Sequence, residues 1–156
     1  MSAPQDKTID EILSGLPYMI RTASEGTIIY FPENADGDYH FEGSINLQKN
    51  FFEVRATLSK TWQHTFPEHD YFWYKPFELI GTDAPDQMMR ECLETLRLLV
   101  THDTRICQRK GLLWWSFACE RLQEGRWVSV YGHTAFRYSN FRPPQIKSRR
   151  QWYQAK

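Results

Sequence analysis

The sequence predicts an α+β domain: one curved antiparallel sheet of about six to seven strands, with a short N-terminal helix and one longer helix packed on a single face. Three observations carry this. Several short segments alternate apolar and polar residues with the two-residue period of a strand. Two segments carry apolar residues at helical spacing instead. The order of elements is helix, five strands, helix, two strands, without the strand–helix–strand repetition of a doubly wound fold.

Thr8-Ile9-Asp10-Glu11 has the form of a capping box, and Ile9, Ile12, Leu13 and Leu16 recur at helical spacing before Pro17 blocks continuation. A helix over 8–16 follows. Residues 18–31 read as a hairpin turning at Ser24-Glu25, with Tyr18, Ile20, Ile29 and Phe31 facing one another and Gly26 supplying backbone freedom. Asn34-Ala-Asp36-Gly37-Asp38 is a turn rather than a calcium loop, because an EF-hand frame would put Pro32 and Gly43 at ligand positions.

From Tyr39 to Leu47 the apolar residues are Tyr39, Phe41, Ile45 and Leu47, alternating with His40, Glu42, Ser44 and Asn46. From Phe52 to Leu58 they are Phe52, Val54, Ala56 and Leu58, alternating with Glu53, Arg55, Thr57 and Ser59. A turn over Gln48–Phe51 would pair Leu47 with Phe52 and Ile45 with Val54, giving one apolar face and one wet face. Ser44, Glu53 and Arg55, on the wet face, are then expected to tolerate Ala within about 0.5 kcal/mol.

Tyr71–Ile80 is aromatic on both parities, as in a central strand, while Pro76 argues for an edge or a bulge. Thr82-Asp83-Ala84-Pro85 opens the main helix, with a stripe of Met89, Cys92, Leu93, Leu96 and Val100 ending between Thr101 and Gly111. A last hairpin joins Leu112–Leu122 to Arg126–Ser139 through a tight Glu124-Gly125 turn. That register sets Trp115 against Thr134, Phe117 against Gly132, Cys119 against Val130 and Ser116 against His133. One buried layer should therefore join the inward residues of the central hairpin and the helix stripe to Leu113, Trp115, Phe117, Val128 and Val130. Function would then lie on the other face.

The chain reads as one domain over residues 1–156, with 1–6 and about 143–156 as tails. Its hydrophobic content of 41% and its six Trp exclude general disorder. Met1–Lys7 has neither a basic nor an apolar export region, and no apolar run approaches the ~20 residues that span a bilayer, so no membrane partner is expected. Cys92, Cys107 and Cys119 form no CxxC pair, which fits reduced thiols in a cytoplasm and no structural zinc.

Charge is divided unevenly: residues 1–100 hold 8 Lys+Arg against 16 Asp+Glu, and residues 101–156 hold 11 against 3. Three readings stay open: an anionic partner for the C-terminal part, head-to-tail contact between copies of a homo-oligomer, or neutralisation within one fold.

Two candidate surfaces follow. One face of the last hairpin carries Trp114, Ser116, Ala118, Trp127, Tyr131 and His133, large rings beside polar groups. The C-terminal segment interleaves Arg137, Arg142, Lys147, Arg149 and Arg150 with rings such as Trp152, which suits an acidic protein groove or single-stranded nucleic acid.

Catalytic motifs are thin. His64 and His69 do not form a helical ligand pair, and His102-Asp103-Thr104 is not matched by the second His-x-Thr that two-histidine chemistry needs. Walker, GxGxxG, GxSxG and HExxH patterns are missing, and no cofactor is implied. The sequence therefore reads as a non-catalytic macromolecule-binding protein: an adaptor, chaperone or inhibitor with a protein partner. The alternatives are a small-molecule binder or enzyme with a pocket between sheet and main helix, and a single-stranded nucleic-acid binder.

Overall fold

The computed structural model describes residues 4–24, 26–33, 39–58, 71–77, 84–110 and 114–137. Helix α1 spans Pro4–Ile12; strands β1 to β5 span Met19–Ala23, Gly26–Tyr30, Tyr39–Asn46, Phe51–Leu58 and Tyr71–Phe77. Helix α2 spans Pro85–Thr101, and strands β6 to β8 span Thr104–Lys110, Trp114–Gln123 and Arg126–Arg137. The α+β class and the antiparallel pairing agree with the expectation. The strands, however, form two sheets, β1-β2-β3-β4-β5 and β6-β7-β8, with β8 lying beside β5.

The strand missed in the sequence is β6. It pairs with β7 at the edge of the smaller sheet, and an edge strand needs little apolar content; Thr104-Arg105-Ile106-Cys107-Gln108 carries no long alternation to read.

Helix α1 begins one turn before Thr8, so residues 4–6 belong to it rather than to a tail, and Thr8 is internal rather than a cap. Proline is tolerated in a first turn, where its missing N–H has no helical partner to lose. A tertiary contact holds that turn: Gln5 Nε2 donates to Thr27 Oγ1 at 2.9 Å. The other end is held by α2, whose Arg97 Nη1 donates to the Ile12 carbonyl at 2.8 Å, placing a cation where the helix leaves its carbonyls unpaired.

The first hairpin matches the expected register, with Ile20 opposite Ile29 and Ala23 opposite Gly26. Gly26 has φ +120°, and a Cβ there would run into the Ile45 carbonyl oxygen of β3. Only glycine fits that approach.

In the central hairpin, β3 and β4 keep the expected parity, but the register is displaced. Ile45 pairs with Phe52, Gly43 with Val54 and Phe41 with Ala56, and the loop is 47–50 rather than 48–51. Moving the loop by one residue changes each partner by two positions, so every side chain keeps its face. Alternation specifies the face and not the partner. Asn46 Oδ1 accepts from the Lys49 backbone N–H at 3.0 Å, and Asn50 takes φ 51°, which together fix the loop where it is.

Strand β5 pairs with β4, and the ladder shifts between Ala56 and Thr57. Helix α2 buries Met88, Met89, Cys92, Leu93, Leu96, Leu99 and Val100 against Phe41, Ile45, Phe52, Val54 and Ala56, with Ile9, Leu13 and Leu16 completing the core. Leu47 and Val130 are partly buried against it. Val128 was expected inside and is 39% exposed: it stands near the tip of the β7–β8 hairpin, beside the exposed Leu98. The side chains of Leu58, Leu113, Trp115 and Phe117 lie outside the described residues.

The β7–β8 turn is Glu124-Gly125 as expected, with φ 50° and 76°, the left-handed pair of a two-residue hairpin. Cys119 opposes Val130, also as expected. Beyond it a bulge between Ala118 and Cys119 displaces the ladder, so Phe117 opposes Thr134, Ser116 opposes Ala135 and Ala118 opposes His133. A bulge adds residues to one strand without any change in the alternation that sequence displays. No helix among the described residues is long and apolar enough to cross a membrane.

Candidate functional site

The face of β2–β4 turned away from the helices was expected to be wet, and it is not. Glu42, Ser44, Asn46, Glu53 and Thr57 are all buried, and Arg55 is nearly so. These residues were missed as site candidates because a Glu or Arg at an alternating position normally faces solvent. The charges at the polar positions of β3 and β4 are visible in the sequence, but that Glu42 and Arg55 are direct cross-strand partners follows only from the observed register.

At the centre, Glu42 accepts from Arg55 Nε at 2.8 Å and from His40 Nε2 at 2.7 Å, which puts the imidazole proton on Nε2. Burial would raise the Glu42 carboxyl, but the His40 hydrogen bond and the Arg55 charge outweigh it and bring the pKa down to about 2. Glu53 has the opposite balance. Burial pushes its carboxyl above the ordinary range, and Arg55, with Nη1 at 4.0 Å, only partly opposes this.

Glu53 and Arg55 open onto a cavity of about 560 Å³. Thr27, Ser44, Asn46 and Lys49 line its polar side, and Ile28 and Phe51 its apolar side. The volume falls within the roughly 300–1,000 Å³ of small-molecule sites. Thr57, on the same face of β4, has a buried hydroxyl without a hydrogen-bond partner.

Where α2 crosses β3 and β4 the layer is close-packed, since a Cβ on Gly43 would come within 3.0 Å of Leu96 Cδ2, and the side chains of Ser116, Tyr131 and His133, expected at a pocket between sheet and main helix, lie outside the described residues. At the edge of that layer a cavity of about 230 Å³ lies between α2 and the strands, near Lys75, Thr95, Leu98 and Val130.

Of the candidates on the last hairpin, Trp127 is 39% exposed, and the Arg105 guanidinium lies 4.4 Å from its ring centroid while also binding Glu120. Trp114, Ser116, Tyr131, His133 and Arg137 are in β7 and β8, but their side chains lie outside the described residues. So do the whole of Arg142, Lys147, Arg149, Arg150 and Trp152, the loop histidines His64 and His69, and the turn at 34–38. Among the described residues no cluster of His, Cys, Asp and Glu is arranged to hold a metal. Cys92 is buried in the core, which pushes its thiol up to about 12 and leaves it without nucleophilic character at neutral pH.

Fold and site together define an α+β protein with a half-polar cavity over buried charges on the face of its larger sheet turned away from the helices. The chain matches no family model, no curated protein and no solved structure.

Proposed function

We propose that the chain is a small-molecule-binding protein whose ligand occupies the cavity over β2–β4. The observation that carries this is a buried Glu53 beside an Arg55 that is only 17% exposed, both in the wall of a ligand-sized space. Buried charge lowers stability unless fully paired, and its placement at a cavity is what ligand recognition calls for. A thermal-shift and NMR screen of polar fragments tests the reading. Hits should perturb the amides of Ser44 and Asn46, and Ser44→Phe, which fills the space, should abolish them. A folded wild-type chain that yields no hits, or hits indifferent to Ser44→Phe, would refute it.

A second reading keeps the macromolecular partner: an adaptor, chaperone or inhibitor acting in a cytoplasm. Exposed Trp127 beside exposed Val128 favours it, since exposed rings are hot-spot material. Recruitment of single-stranded nucleic acid by the basic segment is separable by salt. Binding of an oligo-deoxythymidylate should weaken steeply with salt, and alanine at Lys147, Arg149 and Arg150 should flatten the slope. An unchanged slope removes that role from the segment.

A further inference from the structure

We infer that Glu53 is the ligand-selecting group of this cavity and that the ligand it selects carries a protonated amine, an inference that rests on the cavity reading above. Two carboxylates compete for Arg55, and they are not equivalent. Glu42 holds the guanidinium Nε at 2.8 Å and is itself held by His40, whereas Glu53 stands 4.0 Å from Nη1, beyond hydrogen-bonding distance. The Glu53 carboxyl thus lines the cavity, is 8% exposed, and accepts no hydrogen bond among the described residues. Buried carboxyls without donors are rare and costly. The Glu53 oxygens open onto the cavity, where a ligand can bring the donor that the described residues do not.

Charge then decides what kind of donor. Glu42 offsets Arg55, so the buried cluster retains one net negative charge, that of Glu53. A ligand anion would meet that charge, with Arg55 already engaged by Glu42 and Lys49 exposed at the loop. A ligand ammonium would neutralise it through a charge-assisted hydrogen bond, about twice as strong as a neutral one. Ile28 and Phe51 offer the apolar wall against which the rest of such a ligand can lie.

The groups facing Glu53 are Arg55 on its own strand, Glu42 with His40 across on β3, and Lys49 in the loop. Strand β5 places the uncharged Pro76 opposite it, and α2 brings the Cys92 thiol, which stays neutral. Burial raises the Glu53 carboxyl, and an ammonium beside it favours the carboxylate. Amine binding therefore releases protons and tightens as pH rises through the Glu53 titration.

The test titrates the full chain with phenethylamine, phenethyl alcohol and 3-phenylpropionate, following the Glu53 side-chain carboxyl by carbon NMR and the heat in two buffers of different ionisation enthalpy. The amine should bind at least about tenfold more tightly than the other two, move the Glu53 carboxyl signal and release protons; Glu53→Gln should erase the preference. The wild-type carboxyl signal decides the matter even where Glu53→Gln fails to fold. Equal binding of the three compounds, or amine preference with an unmoved Glu53 signal, overturns the inference while shifts at Ser44 and Asn46 leave the cavity reading intact. Binding by none of the three also overturns it, and the fragment screen then judges the cavity separately.

Discussion

Leu96 is fully buried, and its Cδ2 approaches the empty side of Gly43 so closely that a methyl there would sit 3.0 Å away. The pair supports a double-mutant cycle through the contact that seats α2 on the sheet. Leu96→Ala should cost about 2–5 kcal/mol, from lost burial plus the cavity left behind. For a chain of this size that is a fall in Tm of roughly 4–20 °C. Gly43→Ala has two opposed effects: Leu96 must yield by a few tenths of an ångström, while the stiffer residue removes unfolded-state freedom, for a net cost of about 1 kcal/mol. In the double variant the new methyl enters the space vacated by Leu96, so its cost should fall about 1–2 kcal/mol below the sum. Urea unfolding followed by tryptophan fluorescence reads all four corners, with a constant m-value as the control. Additivity within about 0.5 kcal/mol would show that α2 does not rest on Gly43 and would refute the packing argument.

The two buried glutamates should respond to acid in opposite senses. Glu42 is depressed from 4.5 to about 2, so its contribution is fully present above the unfolded value of 4.5 and is lost as pH falls from there through 2; Glu42→Gln should cost roughly 3 kcal/mol at pH 7 and flatten that limb of the stability curve. Glu53 is raised, so stability increases as pH falls through its folded value, and Glu53→Gln should stabilise the chain at neutral pH, as thermal unfolding would reveal. Arg55→Ala should destabilise by roughly 3 kcal/mol, the low end for a broken buried pair because Arg55 retains 17% exposure; a loss under about 0.5 kcal/mol would restore the wet-face expectation. Gly125→Ala has open space around its new methyl, so its cost of about 1 kcal/mol should come from the left-handed backbone alone, and Gly125→Asn should recover part of it. Cys92 and Cys119 are both fully buried and should resist an aromatic disulfide reagent in the native chain, then react once urea unfolds it.

The candidate site shows why reading faces is easier than reading function. Val54 and Glu53 are neighbours in sequence, alternation puts them on opposite faces, and they do lie on opposite faces of β4. What alternation could not show is that the second face is also buried, because burial there depends on what the fold brings near it. The consequence is chemical: a carboxyl assumed to be solvated is instead desolvated, short of donors and raised in pKa.

The α+β class, the two helices with the stripe of α2, the parity of β3 and β4, and the Glu124-Gly125 turn follow from the residues alone. Each is a local property: helical or alternating period is set by the backbone geometry of a few residues, and a two-residue left-handed turn by the residues that tolerate it. The partners along the β3–β4 ladder, the bulge at Ala118, the edge strand β6, the division into two sheets and the buried charges over the cavity come from long-range packing. Register shifts by two positions leave every side chain on its face, and edge strands need no apolar face. Burial of polar groups is set by distant segments, so none of these outcomes alters the local pattern from which a sequence is read.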